Sequence, residues 1–170
     1  MFLEAKSSEP ALKVLLRNVG TAIHVASTLR AQGLSNVSVN LDWANVIMTG
    51  ESIAESAALL EQRGMLGHQH ASSGLGYLDD KTMVGSLKFM ETLELAIQLR
   101  GSSYARDGGR LGMDIYPYTE DGIAAVRRGV EQWRSIEAIA MRVDLEALTA
   151  ARSTHDAVRA YEVIYSALAP

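Results

Sequence analysis

The stretch Gly67-His68-Gln69-His70-Ala71-Ser72-Ser73-Gly74-Leu75-Gly76-Tyr77-Leu78-Asp79-Asp80-Lys81-Thr82-Met83-Val84-Gly85-Ser86 decides how the chain folds. It opens on a short β-strand, His68 to Ala71, in which alternation places His68 and His70 on one face. A glycine-rich turn follows, closing on Asp79, Asp80 and Lys81, and a helix begins at Ser86. Taken alone, a histidine at a strand end is a hydrogen-bonded structural residue, and Asp-Asp ahead of a helix is a capping device. Imidazole nitrogen and carboxylate oxygen converging at a strand end are also the donors that Mn, Mg, Co or Zn takes from a protein. Three other strand ends in the chain repeat the pattern, which favours the second reading.

Working outward, Met1 to Lys6 reads as a strand with Glu4 and Lys6 on one face, and Ser7 to Pro10 as a loop. Apolar residues at helical spacing (Val19, Ala22, Ile23, Ala26, Leu29) predict a helix over Leu12 to Gln32, with Gly33 as its C-cap. A strand follows over Val37 to Asp42, then a loop containing Gly50. A helix capped by Ser52, with Glu55 three residues on, ends at Arg63-Gly64. Beyond the central stretch come a helix to Arg100, a loop to Arg110, a strand Leu111 to Tyr116 stopped by Pro117, and helices over Glu120 to Val143 and Thr154 to Leu168. This alternation argues an α/β fold, a parallel sheet with helices packed on it. In such folds the loops after the strands converge on one rim, where sites are built. Glu4, Asp42, His70 and Asp114 all lie at or next to those ends.

The composition narrows the function classes. With 170 residues, 48% hydrophobic and 21% charged, the chain suits one soluble core. A net charge of -4 without a basic block offers no footprint for nucleic acid or an anionic membrane. Cysteine is absent, so a metal would be held by oxygen and nitrogen alone. No apolar run approaches the roughly 20 residues of a membrane span, and a cytoplasmic location is expected.

Four motifs resemble known ones. Leu3-Glu4-Ala5-Lys6-Ser7-Ser8-Glu9-Pro10 resembles the Glu-x-Lys-x-x-Glu-Pro segment of xylose isomerase, and Gly112 to Asp121 resembles that enzyme's last barrel strand with the following Thr-Glu-Asp. Asn40-Leu41-Asp42-Trp43 and Gly64 to His70 look like the sixth and seventh strands of the xylose isomerase-like superfamily, the latter closer to L-rhamnose isomerase in its histidine. The resemblance covers residues 2 to 135. It implies that residues 1–143 are four consecutive βα units forming half of a (β/α)8 TIM barrel, strands 5–8 of the family's barrel, with 144–170 a C-terminal helical extension.

The same resemblance implies a divalent-metal-dependent sugar isomerase or epimerase with Glu4, Asp42, His70 and Asp114 as ligands of one Mn, Mg or Co ion, Zn being an alternative. Lys6, with Glu4, would be catalytic, its ammonium beside the substrate carbonyl. Trp43, Asn45 and Lys81 would line the substrate. Asp42 and Asp79 would belong to a second metal, but here Asn45 stands where the isomerases have histidine and Lys81 where they have aspartate. One metal is therefore expected, favouring proton transfer through an enediol. Four βα units make only half a barrel, so the activity would be complete only with a missing N-terminal half or another copy. The alternative is an inactive half-barrel serving as a metal- or carbohydrate-binding or assembly module. His68 is expected to be buried and hydrogen-bonded, and Trp133, Met83, Met90 and Met141 to be packing residues.

Overall fold

A computed structural model describes residues 1–9 and 12–169. The first strand, β1 (Phe2–Glu4), is followed by a small antiparallel hairpin, β2 (Ser8–Glu9) and β3 (Leu12–Lys13). Pro10, which closes the first motif, lies outside the described residues. Helix α1 (Val19–Ala31) starts later than the apolar spacing predicts, because Asn18 and Thr21 form a reciprocal capping box that fixes its first turn. Strand β4 (Ser38–Asp42) runs directly into α2 (Trp43–Thr49), where a loop was expected. The Asp42 carboxylate caps that helix by accepting the Asn45 N–H at 2.9 Å, and Gly50 ends it at φ +74°.

The chain continues through α3 (Ile53–Gln62), capped by Ser52, β5 (Leu66–Ala71), α4 (Phe89–Leu99), the single turn α5 (Ser103–Arg106) and β6 (Leu111–Met113). Helix α6 (Gly122–Arg142) starts at an Asp121 cap. The expected last helix is preceded by another: α7 (Leu145–Ser153) and α8 (Ala157–Leu168) are separated where His155 adopts φ +56° and Asp156 caps α8.

Strands β1, β4, β5 and β6 form one parallel sheet in that spatial order, so the fold is α/β. Glu4 lies opposite Asn40, Asn40 opposite His68, Asp42 opposite His70, and His70 opposite Gly112. Period-two alternation therefore puts these polar residues on one face. The other face carries Val39, Leu41, Gln69 and Ala71, all buried. Helices α1 and α3 pack on its strands, α6 packs on β6, and successive helices touch in chain order, α1 on α3, α3 on α4 and α4 on α6. At the end of the sheet where β4 and β5 begin, the Arg30 guanidinium donates to the carbonyls of Val37 (2.7 Å) and Gly64 (3.0 Å) and to the Ser38 hydroxyl. No helix among the described residues is long and apolar enough to cross a membrane.

Candidate metal centre

The site grows from the C-terminal ends of β1, β4 and β5. Glu4, Asp42 and His70 each bring one donor atom within 4.8 Å of the others. His70 Nδ1 is the focus, with Glu4 Oε2 at 3.2 Å, Asp114 Oδ2 at 3.4 Å and Asp42 Oδ2 at 3.6 Å. This nitrogen is buried and has no hydrogen-bond partner among the described residues. Atoms that share one ion at bond lengths of about 2.1 Å and angles of 90–109° stand about 3.0–3.4 Å apart. The orphaned imidazole nitrogen and the carboxylate oxygens around it stand near that spacing, so Glu4, Asp42 and His70 could hold a cation.

The carboxylates are held by neighbours. Asn40 and Asn45 donate their side-chain amides to Glu4, Asn45 to Oε1 at 3.1 Å and Asn40 to Oε2. Asp42 divides its oxygens, Oδ1 to the α2 cap and Oδ2 to the site. Such outer contacts fix the orientation of ligand groups. Gly112 makes room for the imidazoles: a Cβ there would stand 3.1 Å from His68 Nε2 and 3.5 Å from His70 Cδ2.

Lys81 reaches the same cluster from the loop. The backbone of Ser73 and Thr82 pairs as a bridge, at 2.9 and 2.7 Å, and returns the loop to the end of β5. Inside it, Asp80 accepts the Leu75 N–H and packs against Gly74, where a Cβ would lie 2.6 Å from Asp80 Oδ1 and push that carboxylate aside. Lys81 itself has φ +29°, a strained value for a residue with a side chain. Its ammonium lies 2.7 Å from Asp42 Oδ2, contacts Asp114 Oδ2 and stands 3.8 Å from Asp79 Oδ1.

Charge follows the geometry. Burial disfavours the Lys81 ammonium most, but its bonds to Asp114 and Asp42 outweigh that and hold its pKa above the ordinary lysine value. Burial likewise works against the Asp42 carboxylate, yet His70 and Lys81 lower its pKa overall. His70 is raised chiefly by Asp42, against its own burial, with Glu4 and Asp114 adding to the rise. At 3.6 Å the His70–Asp42 attraction is electrostatic and not a hydrogen bond.

The other expected site residues stand as follows. Lys6 turns to Asp79 (2.7 Å) and Glu9 (2.9 Å), whose carboxylates outweigh its burial and raise its pKa. Asp114 gives the oxygen nearest His70 to Lys81 as well. Trp43 does not form a wall against a ligand. It is fully buried, donates its indole N–H to Gln69 Oε1 at 3.0 Å and packs on Trp133. Helix α2 begins at residue 43 and turns that side chain away from the rim. Asn45 and Lys81 are 1% and 3% exposed and spend their polar groups on carboxylates, so neither presents itself to a substrate. His68 is half-buried and, among the described residues, makes ring contacts, stacked on Phe2 and edge-on to His70, in place of the expected hydrogen bond. Met141 is exposed. Asn40 had no expected role, although its place two residues before Asp42 on one strand put it on the same face.

No protein-family model matches the chain, and no curated protein matches it as a relative.

Proposed function

We propose that the chain binds one divalent cation through Glu4, Asp42 and His70, as part of a metal-dependent sugar isomerase or epimerase whose barrel is completed by further βα units. The observation that carries the reading is the unpartnered His70 Nδ1 with three carboxylate oxygens 3.2–3.6 Å away. Two carboxylates and one imidazole leave coordination positions for substrate oxygens, and the imidazole favours Mn, Co or Zn over Mg. When bound, the cation would polarise a sugar carbonyl or hydroxyl and stabilise the charge that develops there. Glu4 would be steadied as a ligand by Asn40 and Asn45, and Lys6, next to Asp79 on the rim, would place positive charge near the reacting oxygen.

Support for the half-barrel comes from the layout: four parallel strands in the order β1-β4-β5-β6, with successive helices touching in chain order. The sugar chemistry rests on the four motifs alone. A second reading, a silent ion-binding or assembly module, is favoured by Lys6, whose ammonium is already held by Asp79 and Glu9.

Two measurements separate these readings. Elemental analysis after dialysis against Mn²⁺ should find one ion in the wild type and none in His70→Ala; equal, negligible metal in both overturns the ion site. Assay of the chain joined to its complementary half against a panel of aldoses and ketoses should show turnover that Lys6→Ala lowers while leaving metal bound. Absence of turnover in a fully metallated protein would leave the module reading standing.

A further inference from the structure

Strands β1 and β6 end the sheet, each paired on one side only among the described residues. Phe2 lies opposite Ser38, which donates to the Met1 carbonyl, so the N–H and C=O of Phe2 point away from β4. Met113 lies opposite Ala71, which accepts from Asp114, so the N–H and C=O of Met113 point away from β5. Edges of this kind recruit another strand unless something covers them. Apolar side chains also stay open beside both: Phe2 on β1 is 56% exposed, and Ile123 on α6, which packs on β6, is 68% exposed.

The register decides what fits these edges. Glu4 lies beside Asn40 and Asn40 beside His68; His70, two residues on, lies beside Gly112, and Asp114 is two residues beyond that. The sheet thus climbs four residues from Glu4 to Asp114, two at each step. A closed barrel of eight parallel strands climbs about eight residues per circuit, so two copies supply the whole climb. A two-fold axis along the strands keeps every strand parallel and makes the two seams alike. In that closure Asp114 meets Glu4 of the second copy, Met113 meets its Leu3, and the outward groups of Met113 face those of its Phe2 and Glu4. An odd shift would set inward side chains against outward ones.

We propose that two copies of this chain join, β6 of each to β1 of the other, into a closed eight-stranded parallel barrel whose one rim carries both His70 clusters. This pairing rests on the half-barrel reading of the proposed function, names the further βα units as those of a second copy, and is independent of the ion.

The chain has no cysteine, so introduced thiols report only the contacts in which they are placed. In Leu3→Cys/Met113→Cys, oxidation should link residue 3 of one chain to residue 113 of the other, giving a covalent dimer on a non-reducing gel and a 3–113 peptide in mass spectrometry. Within one chain β4 and β5 lie between those positions, three strand spacings of about 4.8 Å each, too far for a disulfide. Leu3→Cys/Leu111→Cys, two residues out of register, should stay largely unlinked. Wild type should sediment at twice 18.4 kDa, and Phe2→Pro at 18.4 kDa with unchanged circular dichroism, because proline is tolerated on a free edge and removes a bond from a paired one. A monomeric wild type, a dimer without the 3–113 link, or stronger linking at 111 than at 113 overturns the proposal. If Phe2→Pro is unfolded, the two cysteine pairs decide alone. Mn²⁺ per chain, measured on the same samples, keeps the readings apart: a monomer that binds one ion overturns the second copy and leaves the ion site, and a linked dimer without metal does the reverse.

Discussion

On the covered face of the sheet the buried polar side chain is Gln69, and the fold answers it with one neutral donor, the Trp43 indole, inside a layer of Val39, Leu41 and Ala71. On the open face, Glu4 of β1, Asp42 of β4 and His70 of β5 crowd together and draw in Lys81 and, through Asp79, Lys6. Changes to the first face should cost stability, and changes to the second should alter what binds. The difference separates packing from chemistry within one strand: Leu41 belongs to the core, and Asp42 to the site.

The sharpest test of that division is Trp43→Ala. It removes a fully buried indole packed on Trp133 and leaves Gln69 without its donor, so unfolding in urea should show a loss of about 3–5 kcal/mol. A loss below about 1 kcal/mol would mean that residue 43 is not part of the core. His70→Ala should do the reverse, lowering Mn²⁺ affinity by more than about 100-fold in calorimetry, beyond what loss of a supporting group costs, with little change in the melting temperature of the metal-free protein. Asn40→Ala removes an amide that holds Glu4 and should weaken Mn²⁺ by about 10–100-fold; unchanged affinity would show that Glu4 needs no support.

The smallest effect is one of pH. His70 has a folded pKa above 6.5, so the stability it contributes to the metal-free protein is fully present below about pH 6.5 and is lost as pH rises through the folded value. Mn²⁺ competes with the proton on this imidazole, so affinity should rise over the same interval. Urea unfolding and metal titration between about pH 5.5 and 8.5 should therefore move in opposite directions. Parallel movement would detach His70 from the ion.

Sequence periodicity carried the strands and their faces well, because alternation alone puts Glu4, Asp42 and His70 on one side of neighbouring strands. It carried helix limits less well. Leu12, Val14, Leu15 and Leu16 imitate a helical stripe, but the helix starts only after the Asn18 cap. Trp43 was misplaced for a related reason: a strand that turns into a helix without a loop changes its period at the junction, and the residue just past Asp42 follows the new one. The embrace of Lys81 by Asp42, Asp79 and Asp114 was beyond any local pattern, since it depends on the Ser73–Thr82 bridge folding a long irregular loop back on itself. The resemblance marks Lys81 as an anomaly in a metal motif, but its neighbours are set by the fold.

Arg30, far from the rim, carries a consequence for how this fold tolerates change. By strapping the carbonyls of Val37 and Gly64 together, its guanidinium anchors the floor on which β4 and β5 both stand. One side chain outside the rim thus supports both strands whose opposite ends carry Asp42 and His70.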